Sequence, residues 1–119
     1  MAFKLLQAAS EFRDSIIELV KHLPKNAPPD LRAQLVKAAR SVAANIAEGF
    51  GRGTEADTLR FFRIANGSLE EAQEGLRECI NAELIPRRRF YKEWNRSVVI
   101  AKMLAPHIRE AEPDSGESP

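Results

Sequence analysis

Ser41-Val42-Ala43-Ala44-Asn45-Ile46-Ala47-Glu48-Gly49-Phe50-Gly51-Arg52-Gly53 reads as the end of a helix with two distinct faces that stops in a glycine-rich turn. At about 100° per residue, Ser41, Asn45, Glu48 and Arg52 fall on one arc and form a polar seam. Leu35, Ala38, Ala39, Val42 and Ile46 fall on a neighbouring arc, with the spacing of an apolar stripe that faces a core. Alanines at 38, 39, 43, 44 and 47 favour helix and let neighbouring backbones come close, which suits a central position in a bundle. Glycines at 49, 51 and 53 are expected to supply left-handed backbone conformations that end the helix.

Outward from this stretch, three more amphipathic segments appear. A first helix is expected from Ser10 to His22, with Phe12, Ile16, Leu19, Val20 and Leu23 as its stripe and Pro24 as its stop. The helix that ends at the glycines should start near Pro29, where a proline at the first helical position loses no hydrogen bond. Thr54 followed by Glu55 and Asp57 reads as an N-cap with acidic residues in the first turn. The third helix begins there. Its residues Leu59, Phe62, Ala65, Leu69, Ala72, Leu76, Cys79 and Ile80 alternate steps of three and four, the longest clean stripe in the chain. Gly67 and Gly75 inside it each cost about 1 kcal/mol against alanine, so a close helix contact is expected at both. Ile85-Pro86 closes a hairpin connection. The fourth helix should run from Arg87 with Phe90, Trp94, Val98, Ala101, Leu104 and Ile108 as its stripe, broken or kinked near Met103 to Ala105 by Pro106. Four such segments without strand alternation imply an all-α, antiparallel up-and-down four-helix bundle over residues 1–111. Residues 112–119 hold Glu112, Asp114 and Glu117 among Ser, Gly and Pro and are expected to form a disordered acidic tail.

The run from Ser41 to Gly49 resembles the S-[VI]-x-x-N-I-A-E-G segment of the bacterial four-helix bundle proteins encoded by intervening sequences in 23S rRNA genes. Leu23-Pro24-Lys25 resembles the family's upstream F-P-K, and Phe61-Phe62-Arg63-Ile64-Ala65-Asn66-Gly67-Ser68-Leu69-Glu70-Glu71 resembles its F-L-x-I-A-x-G-S-L-x-E segment. Together these cover about half the chain in the right order. The resemblance implies the same bundle fold, assembled into a ring-shaped homopentamer. It implies no assigned biochemical activity, and a related protein type is a basic, nucleic-acid-binding accessory to reverse transcriptases of diversity-generating retroelements.

Composition bounds the function classes. Of 119 residues, 44% are hydrophobic and 29% charged, the proportions of a water-soluble globular domain. Cys79 is alone and cannot form an internal disulfide, so a reducing, cytoplasmic compartment is expected. No run approaches the ~20 apolar residues of a membrane span, and the apolar run at the N-terminus is too short for a signal peptide, so no membrane partner is expected. Net charge is +1, but the tail holds three acidic side chains and no basic one, leaving the body at +4.

Candidate sites follow from these patterns. Ser41, Asn45, Glu48 and Arg52 can be read as a solvated face, as a hydrogen-bonded network at a helix or subunit contact, or as a ligand site. The resemblance favours the structural network. Gly49-x-Gly51-x-Gly53 lacks both the preceding strand of a dinucleotide fingerprint and the Gly-Lys-Ser/Thr of a P-loop, so it reads as a turn. His22 and His107 stand far apart without metal-ligand spacing, and Cys79 sits on an apolar stripe as an inert thiol. No metal, cofactor or catalytic activity is expected. Arg87, Arg88, Arg89, Lys92 and Arg96, with Tyr91 and Trp94 between them, are the candidate nucleic-acid contacts, through phosphate neutralisation and aromatic stacking. The competing reading pairs these cations with Glu78 and Glu83 of the preceding helix. The expected partners are therefore further copies of the chain, then RNA or DNA, with a purely protein-binding scaffold as the alternative.

Overall fold

A computed structural model describes residues 2–111 as four α-helices: α1 (Ala2–Lys21), α2 (Pro29–Phe50), α3 (Glu55–Asn81) and α4 (Arg87–Ala111). Each helix packs against its neighbours in sequence, and α1 also packs against α4, while the backbones of the diagonal pairs stay apart among the described residues. Short turns reverse the direction each time, so the architecture is an antiparallel up-and-down four-helix bundle. The acidic stretch 112–119 lies outside the described residues.

α1 starts earlier than its sequence suggests. Leu5 and Ala9 are buried in step with Phe12, Ile16 and Leu19, so packing carries the helix through Ser10, which caps nothing. At its other end α1 is held by α2: the Arg32 guanidinium donates to the carbonyl oxygens of Val20 (3.1 Å), Leu23 (3.3 Å) and Pro24 at the end of α1 and the turn after it. α2 begins with Pro29 after Pro28 and has no side-chain cap.

The glycines at the end of α2 do not act as expected. No glycine among the described residues has a positive φ, and Gly51 caps α2 with an ordinary right-handed backbone (φ −88°). Gly49 is needed for proximity instead. A Cβ there would lie 2.6 Å from the Phe62 ring, closer than carbon atoms can approach. Gly75 has the same task further along, where a Cβ would meet Leu35 Cδ2 at 2.7 Å. These contacts, with Ala38, Ala39, Ala65 and Ala72 buried nearby, let α2 and α3 come together closely. Gly67 differs: it is exposed and has nothing within 4 Å of where a Cβ would stand, so the expected contact is absent from the chain itself.

Thr54 caps α3 as its sequence implies, its hydroxyl oxygen accepting from the Asp57 amide at 3.2 Å. The Thr58 hydroxyl donates to the Gly49 carbonyl at 3.0 Å and ties this turn to α2. α3 ends in a Schellman motif with Leu84 N–H bonded to Cys79 O (2.8 Å) and Glu83 N–H to Ile80 O (3.1 Å). Glu83 itself takes the left-handed position at φ 57°, a conformation usually left to glycine.

α4 corrects two expectations. Its buried positions are Glu93, Ser97, Ile100 and Leu104, while Phe90, Trp94, Val98, Ala101 and Ile108 are only half-buried. The helix is thus turned by about one residue from its apolar count, and two polar side chains face inward. Pro106 does not break it: α4 runs on to Ala111. Pro106 and Lys102 both lie on the exposed side, so the carbonyl freed by the missing N–H faces water.

Candidate nucleic-acid interface

The five cations from Arg87 to Arg96 occupy the first three turns of α4, and the bundle divides them into two groups. Arg89 and Arg96 belong to a clasp between α4 and α1. Its centre is Glu93, wholly buried at 0% exposure. One carboxylate oxygen of Glu93 accepts from the Ser15 hydroxyl of α1 and from Arg89 Nε at 2.9 Å. Arg89 Nη2 also donates to the Ser15 carbonyl at 2.9 Å. The other oxygen has no hydrogen bond, although Arg96 Nε stands 3.9 Å away, and Arg96 reaches on to Glu11 of α1 at 3.7 Å. One turn further along α4, Ser97 donates to the Trp94 carbonyl (2.6 Å) and accepts from Gln73 of α3 (2.9 Å). A buried carboxylate is costly unless cations and donors compensate it, so Arg89 and Arg96 are held to a structural task.

Arg87, Arg88 and Lys92 are exposed, and none makes an ion pair among the described residues. The pairing with Glu78 and Glu83 suggested by sequence does not form. Tyr91 lies among these cations, 54% exposed, its ring edge-on to Phe90. Trp94 is engaged instead, stacked on Phe90 with Arg77 of α3 over its face at 4.8 Å. Because α1 and α4 are antiparallel, Lys25 and Lys21, the latter paired with Glu18 at 3.8 Å, lie at the same end of the bundle. What remains available there is a set of mobile-length cations around one exposed aromatic ring, suited to phosphate contact and sequence-tolerant stacking.

The polar seam of α2 also divides. Ser41 and Ser68 share a hydrogen bond of 2.7 Å between α2 and α3, and Asn45 Nδ2 donates to the Ser41 carbonyl at 2.8 Å and to its hydroxyl at 3.0 Å. These three form a small knot inside the α2–α3 contact. Glu48 and Arg52 do not join it. They make an exposed ion pair of 2.7 Å, one helical turn apart, and Arg52 also lies over the Phe61 ring. The expected network of Asn45 with Glu48 is therefore absent within the chain.

Sequence reasoning missed two features. Glu93 was hidden because an apolar count skips polar residues, yet the series Glu93, Ser97, Ile100 and Leu104 has core spacing. His107 packs edge-on against Phe50 and Phe62 at 5.9 and 5.3 Å between ring centres, a contact that no motif announces. Cys79 fits its sequence reading: burial, helped by the Glu78 charge, pushes its thiol up to about 11, so it stays protonated and unreactive. Among the described residues no three His, Cys, Asp or Glu side chains gather as metal ligands, and no helix is long and apolar enough to cross a membrane.

Comparison with known families decides what kind of protein carries this surface. The family model described as 23S rRNA-intervening sequence protein matches residues 1–106. The chain belongs to that family. A protein of unknown function from the S23 ribosomal protein family of Bacteroides thetaiotaomicron has a similar crystal structure, with a TM-score of 0.83 and 26% identity over 87% of this chain and 97% of that one. A comparison with curated proteins found no match. Family membership therefore accounts for the bundle.

Proposed function

We propose that this family member is a non-enzymatic, self-assembling interaction module that associates with RNA or DNA, 23S rRNA being the leading candidate, through the start of α4. The observation that carries the reading is the division of the basic cluster. Arg89 and Arg96 are committed to Glu93, whereas Arg87, Arg88 and Lys92 stand exposed around Tyr91 without ion-pair partners among the described residues. Three phosphate contacts give a slope of roughly −2 to −3 in log affinity against log salt, which is weak for one chain. Assembly into a homopentamer, the state implied by the family resemblance, repeats the patch and raises effective concentration for any strand that touches several copies.

Fluorescence anisotropy with labelled RNA and DNA at low and physiological salt tests this. The variant Arg87→Glu with Arg88→Glu and Lys92→Glu should abolish binding and keep helix content and oligomer mass. Arg89 must be left alone because it serves the clasp. No binding by the native protein at low salt would favour a scaffold that binds only protein.

A further inference from the structure

The outer faces of α2 and α3 each leave a residue pattern unexplained within the chain. On α3, Ile64, Gly67, Glu71 and Glu74 share one exposed face of the helix. Ile64 is 44% exposed, and Gly67 weakens the middle of the longest helix with nothing near it to require a missing side chain. On α2, Lys37, Arg40, Ala44 and Ala47 form the matching outward row, all exposed. Lys37, Arg40 and Glu71 have no ion pair among the described residues. Neither α1 nor α4 contains a glycine.

We infer that α3 of one copy seats on α2 of the next, antiparallel, with Lys37 against Glu74, Arg40 against Glu71, Ala44 against Gly67 and Ala47 beneath Ile64. Opposite charges meet at one end of this contact, and small residues meet at the other, where Gly67 lets the helices close together. The register has an independent check. Within the chain, α2 and α3 pair with Gly49 beside Phe62, Ser41 beside Ser68 and Leu35 beside Gly75, which is the same register to within a residue or two. Successive copies related in this way turn about an axis along the bundle without climbing along it. A head-to-tail contact without a climb closes into a ring when its rotation divides a full turn.

This interface rests on the self-assembly proposed above, and the test separates the two. Co-expressing an Ala44→Cys chain with a Gly67→Cys chain should give a disulfide between chains under mild oxidation, with each variant alone giving none. Cys79 is buried with a raised thiol pKa and does not compete. Arg40→Glu and Glu71→Arg should each raise the dissociation concentration, read by light scattering, roughly tenfold or more, and the two together should restore it. All four positions are exposed, and circular dichroism checks that each variant is folded. A native protein that stays monomeric at high concentration overturns the assembly and this interface with it. An oligomer that shows no mixed disulfide and ignores both charge reversals overturns the interface alone, as does a disulfide formed only between identical variants.

Discussion

α2 and α3 meet through small side chains and a single knot of three polar groups, whereas α1 and α4 meet around a buried carboxylate. The first contact is close because glycines at 49 and 75 remove atoms that would otherwise collide. The second is specific because Ser15, Arg89 and Arg96 must all stand opposite Glu93. One half of the bundle therefore gains from proximity and the other from chemical matching. Errors should cost differently in the two halves: an added carbon strains the first, while a lost partner leaves a charge or donor stranded in the second.

The largest expected effect is on the polar side. Glu93→Ala leaves Arg89 facing a buried space without its carboxylate and should destabilise by about 3–5 kcal/mol in urea unfolding. Replacing both partners, Glu93→Leu with Arg89→Met, should recover most of that loss. A single variant within about 1 kcal/mol of the native protein would mean that the clasp contributes little. On the close side, Gly75→Val pushes into Leu35 and should cost about 1–3 kcal/mol by the same measurement, despite the better helix propensity of valine. An unchanged midpoint would show that Leu35 can move aside. The smallest effects test the polar seam of α2. Asn45→Ala should cost about 1 kcal/mol, and Glu48→Ala no more than about 1 kcal/mol, since its pair with Arg52 is exposed. A larger loss for Glu48→Ala than for Asn45→Ala would reverse this assignment.

What was legible in the sequence follows the same division. Helix starts at Pro29, Thr54 and Arg87 were readable because each is marked by local chemistry: a proline, a cap, or the end of a turn. The stripe of α3 was readable because apolar residues fill its core face almost without interruption. The start of α1 was not, since burial of Leu5 and Ala9 extends that helix and no cap marks its beginning. The face of α4 was misjudged because Glu93 and Ser97 hold core positions, and only the third dimension shows what compensates them. The basic run was visible as charge. Its division into structural and available cations depends on Ser15 and Glu11, residues more than seventy positions away. The close contact at Gly75 is legible because a glycine inside a helix calls for such a reason, whereas Gly49 reads as a turn residue and acts instead by what it keeps out of a contact with Phe62.

The connectivity places the entropy of chain closure unevenly. Three of the four helix contacts join consecutive helices through turns of a few residues, so bringing those helices together restricts only a short loop. The α1–α4 contact joins the first helix to the last and must close nearly the whole chain. The buried carboxylate thus sits at the one contact where the loop is longest and where the polypeptide gives up the most conformational freedom to bring two helices face to face.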